Sequence, residues 1–120
     1  MAELSEYALT KVSTTTGVDM KTAAATTLYT VPAGKTFIPA MVVIRSNSAS
    51  LAGGTDYDFS TWRQTVDLSG MTTTTDFRVL YATDNTSYTA IAAGGTFQIT
   101  VVTGSTAACT ATIDVFGYLV

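Results

Sequence analysis

The sequence predicts an all-β protein, a sandwich or barrel of about eight short strands. Three observations carry this: apolar and polar residues alternate with a period of two in several segments, turn signals recur at regular short intervals between them, and no segment sustains the three-and-four spacing of a helix.

At the N-terminus, "SEYALTKV" and "DMKTAAAT" (Asp19 to Thr26) approach helical spacing, but both are short and threonine-rich and support one helical turn at most. Residues 1–20 therefore read as an arm or edge segment and residues 21–120 as one sandwich domain. "TLYTV", Thr27 to Val31, favours a strand through its β-branched and aromatic content. "FIPAMVVI", Phe37 to Ile44, is apolar at every position. "DFRVLY", Asp76 to Tyr81, places Phe77, Val79 and Tyr81 on one face, read as the buried one, and Asp76, Arg78 and Leu80 on the other. "TFQITVV", Thr96 to Val102, turns Phe97, Ile99 and Val101 inward and Thr96, Gln98 and Thr100 outward. The closing "ACTATIDVFGYLV", Ala108 to Val120, is again strand-like. Pro32-Ala33-Gly34, Ser46-Asn47-Ser48, Gly53-Gly54, Ser69-Gly70, Asp84-Asn85 and Gly94-Gly95 supply the turns. "VPAGKTF" (Val31 to Phe37) echoes "IAAGGTF" (Ile91 to Phe97), as two similar strand-entry corners of a double Greek key would.

Gly34-Lys35-Thr36 has the ending of a phosphate-binding P-loop. The motif needs a glycine five residues before its Gly-Lys pair and a helix after it. Here Tyr29 stands at the first position, and Pro39 with a β-branched run follows. The segment reads as a turn, with Pro32 fixing φ, Gly34 taking the open backbone angle and Lys35 in solvent.

The chain has 120 residues, net charge -3, 12% charged residues and about a fifth threonine. Six scattered basic residues make no stripe for a phosphate backbone, so no nucleic-acid partner is expected. No apolar run reaches the length of a membrane span, and Glu3 and Glu6 stand where a secretory signal would be basic and then apolar, so synthesis in the cytoplasm and no membrane are expected. Asn85-Thr86-Ser87 fits a glycosylation pattern that has no meaning without secretion. The single cysteine, Cys109, sits in strand-like surroundings and reads as structural.

Histidine is absent, which removes the commonest general base and every Ser-His-Asp or Cys-His arrangement. The expectation is a non-enzyme with no cofactor. Asp56 and Asp58 in "TDYDFS" share one face of a possible strand, about 7 Å apart, a spacing that suits a weak metal site or an acid–base pair, or two turn-capping carboxylates in water. Tyr57, Trp62 and Arg63 suit either an aromatic contact surface or core packing.

The apolar surplus is more informative. Both alternate sets of Phe37 to Ile44 are apolar, and in "IDVFGYLV" Phe116, Tyr118 and Val120 share a face with Asp114. A strand of a two-sheet sandwich buries one face, so the second must lie under another subunit or under the chain's own first twenty residues. The first reading predicts a homo-oligomer with Ile38, Val42, Ile44, Phe116, Tyr118 and Val120 in the subunit interface.

"LYTVPAGKTFIPAMVVIRSNSAS", "LAGGTDYDF" and the terminal "IDVFGYLV" together resemble the small head decoration, or cement, proteins of tailed bacteriophages, which have a jelly-roll-like antiparallel β-sandwich. The resemblance spans roughly residues 26 to 60 and the last dozen. It implies a homotrimer bound to the major capsid protein at three-fold positions on the outer surface of the virion, made in the host cytoplasm, clamping the shell against internal DNA pressure. It carries no catalytic or ligand residues. A phage tail or fibre protein, or a carbohydrate-binding sandwich using Trp62, Tyr57 and the Asp56/Asp58 pair, are the alternatives.

Overall fold

The computed structural model describes residues 8–82 and 90–120. Residues 1–7 of the expected N-terminal arm, the Asp84-Asn85 turn and the Asn85-Thr86-Ser87 pattern lie outside them. Eight strands form: β1 (Thr10–Asp19), β2 (Ala25–Thr30), β3 (Phe37–Arg45), β4 (Asp56–Phe59), β5 (Arg63–Val66), β6 (Phe77–Tyr81), β7 (Thr96–Thr103) and β8 (Thr110–Leu119). The described residues contain no helix.

The pairing is that of one long hairpin rolled up. β1 pairs with β8, β2 with β7, β3 with β6 and β4 with β5, all antiparallel. Further pairings, β8 with β3 and β7 with β4, close two four-stranded sheets, ordered β1-β8-β3-β6 and β2-β7-β4-β5. This is the jelly-roll order. Rolling makes the chain cross between sheets at nearly every connection.

Two of those connections carry the echoed segments. Gly34 and Gly94 both take positive φ, at 75° and 82°, a backbone angle glycine adopts at no steric cost. The Lys35 N–H donates to the Pro32 carbonyl and the Gly95 N–H to the Ala92 carbonyl, so each segment turns on itself. They also bond to each other. Val31 N–H donates to Gly95 O and Gly94 N–H to Val31 O, each at 2.9 Å, while Phe37 and Ile91 exchange bonds of 2.9 and 2.8 Å. The two similar segments thus lie side by side, joined by four backbone bonds, and Lys35 is an exposed turn residue with a strand, not a helix, behind it.

β1 is an edge strand of the first sheet, and Val18 and Met20 are in the core. Asp19 to Thr26 does not form a helical turn: Asp19 Oδ1 accepts the N–H groups of Lys21 and Thr22 at 2.9 and 3.1 Å, an Asx turn that leads the chain from one sheet to the other.

The core lies between the sheets and gathers around Phe97 of β7. Phe37 of β3 meets it edge-on at 6.3 Å, Trp62 edge-on at 5.8 Å, and Phe59 tilted at 6.4 Å. Such pairs add to the burial of their area. Gly117 in β8 has a packing reason: a Cβ there would come within 2.4 Å of the Phe37 ring and 2.3 Å of the Ile38 carbonyl. Cys109 is a buried free thiol at the start of the last strand.

Candidate functional site

The two sheets differ on their outward sides. Cross-strand partners share a face, so the register assigns each residue. On the second sheet Tyr57 and Phe59 point into the core, and Asp56 and Asp58 lie outside, next to Thr103 and Thr100 of β7. Gln98 and Thr27 pair nearby, and this face is hydroxyl- and amide-lined.

On the first sheet, Ile38 pairs with Tyr118, Met41 with both Phe116 and Tyr81, and Val43 with both Asp114 and Val79; Arg45 pairs with Thr112 and Phe77. All of these point outward. Val120 follows them and is also exposed. The result is an apolar area over the end of β8, β3 and the edge strand β6. Phe77 is 69% exposed and Tyr81 58%. The β1 side of the same face is polar. There Arg45 and Asp114 form an ion pair, and Thr14 Oγ1 donates to Asp114 Oδ1 at 2.6 Å. The hydrogen bond from Arg45 holds the Asp114 carboxyl below the usual carboxylate range against the opposing cost of its burial.

Four of the six residues expected at a subunit interface, Ile38, Phe116, Tyr118 and Val120, are on this outer face. Val42 and Ile44 are not: both are fully buried between the sheets. The reason is a bulge in β3 between Pro39 and Met41, which inserts one extra residue and reverses the alternation. Phe37 and Pro39 face in before it, Val42 and Ile44 after it.

β6 is inverted relative to its sequence reading. Its core residue is Leu80, which pairs with the buried Val42, and Phe77, Val79 and Tyr81 turn outward. The inward side also carries Arg78, opposite Ile44, whose guanidinium reaches over the rim to donate to the Asp67 carbonyl at 3.1 Å. As an edge strand beside the open side of the sandwich, β6 needs only one apolar residue inside.

The edge itself has a defined polarity. Ala82 N–H donates to Ala40 O, so along β6 the even-numbered residues bond β3 and the N–H and C=O groups of Phe77, Val79 and Tyr81 point away from it. At that free edge the Tyr81 carbonyl accepts from Arg63 Nη1, which arrives from β5 of the other sheet.

The aromatic surface expected from Tyr57, Trp62 and Arg63 does not form. Tyr57 is fully buried, its hydroxyl donating to the Met20 carbonyl at 2.7 Å, and burial pushes its phenol up to about 12. Trp62 is 4% exposed: the turn after β4, with Ser60 at positive φ, folds it back onto Phe97. Only Arg63 reaches the surface, as a bridge between sheets. Among the described residues the largely exposed aromatics are instead Phe77 and Tyr81, on the face that the sequence reads as buried. Either parity of "FRVLY" offers apolar residues, so only the partner strand decides.

Asp56 and Asp58 do come together. Desolvation, the neighbouring Asp58 charge and a hydrogen bond with it raise the Asp56 carboxyl above its ordinary value, and Asp58 Oδ1 accepts the Thr65 N–H at 2.9 Å. Among the described residues no three His, Cys, Asp or Glu side chains gather as metal ligands. Comparison with protein-family models, curated proteins and solved structures gives no match to this chain.

Proposed function

We propose that this protein is a virion structural protein, a decoration or cement protein that binds the outside of a tailed-phage head and stabilises the shell. The observation that carries the reading is the apolar outer face of the first sheet, with Phe77 and Tyr81 largely in solvent on a strand whose neighbours are already satisfied. Surface aromatics in a contiguous apolar area mark a protein contact more often than a free surface. The rest of the molecule suits a coat: a jelly roll gives a rigid body with short edges, and its threonine-rich, sparsely charged sequence makes many weak contacts that sum over a particle.

In this reading the protein is made in the host cytoplasm, its partners are the major capsid protein and other copies of itself, three around each three-fold position, and it performs no chemistry and needs no cofactor. The test is reconstitution. Purified protein added to expanded heads that lack it binds them at a fixed ratio to capsid subunits and raises the temperature at which they release DNA. Binding to tails or fibres with none to heads moves the protein to the tail, and binding only to polysaccharide overturns the virion reading.

A further inference from the structure

We propose that the free edge of β6 takes up an extended segment of another protein, one that alternates apolar and acidic residues and adds to the first sheet as a fifth strand. The inference goes beyond the coat reading and does not rest on it.

The backbone of β6 specifies the form of the occupant. β6 pairs only with β3, through five residues without a bulge. Its other side carries the N–H and C=O groups of Phe77, Val79 and Tyr81, and among the described residues none of these has a backbone partner. The strand has no proline to interrupt the row. Such a row is a template for one more strand, because only another extended backbone repeats donors and acceptors at the same spacing.

The side chains specify its sequence. An added strand shares its two faces with β6. Residues level with Phe77, Val79 and Tyr81 join the apolar outer face, and the alternate ones lie on the inner side, where Arg78 stands and Arg63 arrives from β5. Both guanidiniums are bonded to carbonyls, Arg63 to that of Tyr81 and Arg78 to that of Asp67, and the ion pair among the described residues belongs to Arg45. The Asp67 carboxylate is turned to the Ser69 N–H and hydroxyl, at 2.9 and 2.6 Å. In a chain of net charge -3 this edge is thus locally basic, and carboxylates at the inner positions of an incoming strand complement it with charge-assisted bonds. The Tyr81 carbonyl keeps a second lone pair for that strand's N–H.

The two arginines also select against other strands. An uncharged one would desolvate them without a counter-charge, and a basic one would be repelled. A second copy of β6 meets the same objection, since it brings its own Arg78.

The test is amide hydrogen exchange, read by NMR on the full chain, during titration with an end-capped six-residue peptide that alternates valine and glutamate. Exchange at Phe77 and Val79 is expected to slow, while Arg78 and Leu80, already bonded to β3, stay unchanged. The same peptide with lysine in place of glutamate gives no protection. Val79→Pro, which removes one outward N–H and no bond to β3, abolishes it. Arg63→Gln with Arg78→Gln weakens binding about tenfold, the worth of two opposite-charge cross-strand pairs, and should that variant not fold, Arg63→Gln alone weakens it about threefold. No protection up to millimolar peptide, or equal protection by the lysine peptide, overturns the proposal. A protein that binds the peptide but ignores phage heads upholds the strand site and sinks the coat reading, whereas one that binds heads while its β6 amides stay unprotected does the reverse.

Discussion

Arg45 and Asp114 are diagonal neighbours across β3 and β8, joined by two bonds, Nε to Oδ2 at 2.8 Å and Nη2 to Oδ1 at 3.3 Å, beside the apolar area on the outside of the first sheet. The arginine is 43% exposed and the carboxylate 8%. The pair therefore keeps a nearly buried charge neutralised while its other half stays in water, and the solvent on that half limits its worth.

Acid should remove this pair's contribution. The folded pKa of Asp114 is lowered, so its stabilisation is present above the unfolded carboxylate value of about 3.9 and is lost as pH falls through the folded value. Asp114→Asn is expected to lower the melting temperature by a few degrees at pH 7 and by progressively less below pH ~4. Parallel melting curves for the two proteins from pH 7 to 2, with the gap constant throughout, would exclude this account.

Phe97 and Phe77 should respond oppositely to truncation. Phe97→Ala removes the centre of the aromatic core and is expected to cost about 3–5 kcal/mol. Phe77→Ala, at a largely exposed site, is expected to change the stability of the monomer by less than about 0.5 kcal/mol. Urea unfolding at low protein concentration measures both, and a large loss at Phe77 would place β6 the other way round.

Alkali should unfold the protein through Tyr57. Its folded pKa is raised to about 12 by burial, so the neutral phenol's contribution is complete below the unfolded value of about 10 and is lost as pH rises through the folded one. Tyrosinate absorbance should show one phenol ionising together with unfolding near pH 12, absent in Tyr57→Phe. That variant is expected to cost about 1 kcal/mol at pH 7, because the Met20 carbonyl loses one bond and retains that from Ser105 N–H.

Asp56 carries the reverse sign for a carboxylate. With its folded pKa raised, the charged form is disfavoured in the native state above the unfolded value of about 3.9, so Asp56→Asn is expected to raise the melting temperature at pH 7 and to make no difference below pH ~3.5. A drop at neutral pH would point to a role for the charge, such as holding a cation, and calcium added to the wild type would then raise its melting temperature.

Local periodicity was a sound guide where one face was plainly polar. In β7, threonine and glutamine alternate with Phe97, Ile99 and Val101, and those three are the buried ones. The Gly34 turn, the structural Cys109 and the paired aspartates on one strand face were legible for the same reason: each depends on neighbours within a few residues. The aromatics of Tyr57 and Trp62 were harder, since a surface platform and a core cluster use the same residues.

The amino-acid sequence by itself determined that this chain is all-β, that turn signals separate its strands, and that β3 and β8 carry more apolar surface than one core can bury; it did not give the strands' length, and β1, β3, β7 and β8 run to eight to ten residues. Only the tertiary structure decided which residues form the outer face. Parity along a strand has two solutions, and the choice is made by the partner across the sheet and by the bulge at Pro39–Met41, neither of which is encoded within the strand itself. Burial of Leu80 opposite Val42 turned Phe77 and Tyr81 outward, and the extra residue in β3 drew Val42 and Ile44 inward, because the sheet must present one continuous apolar side to the other.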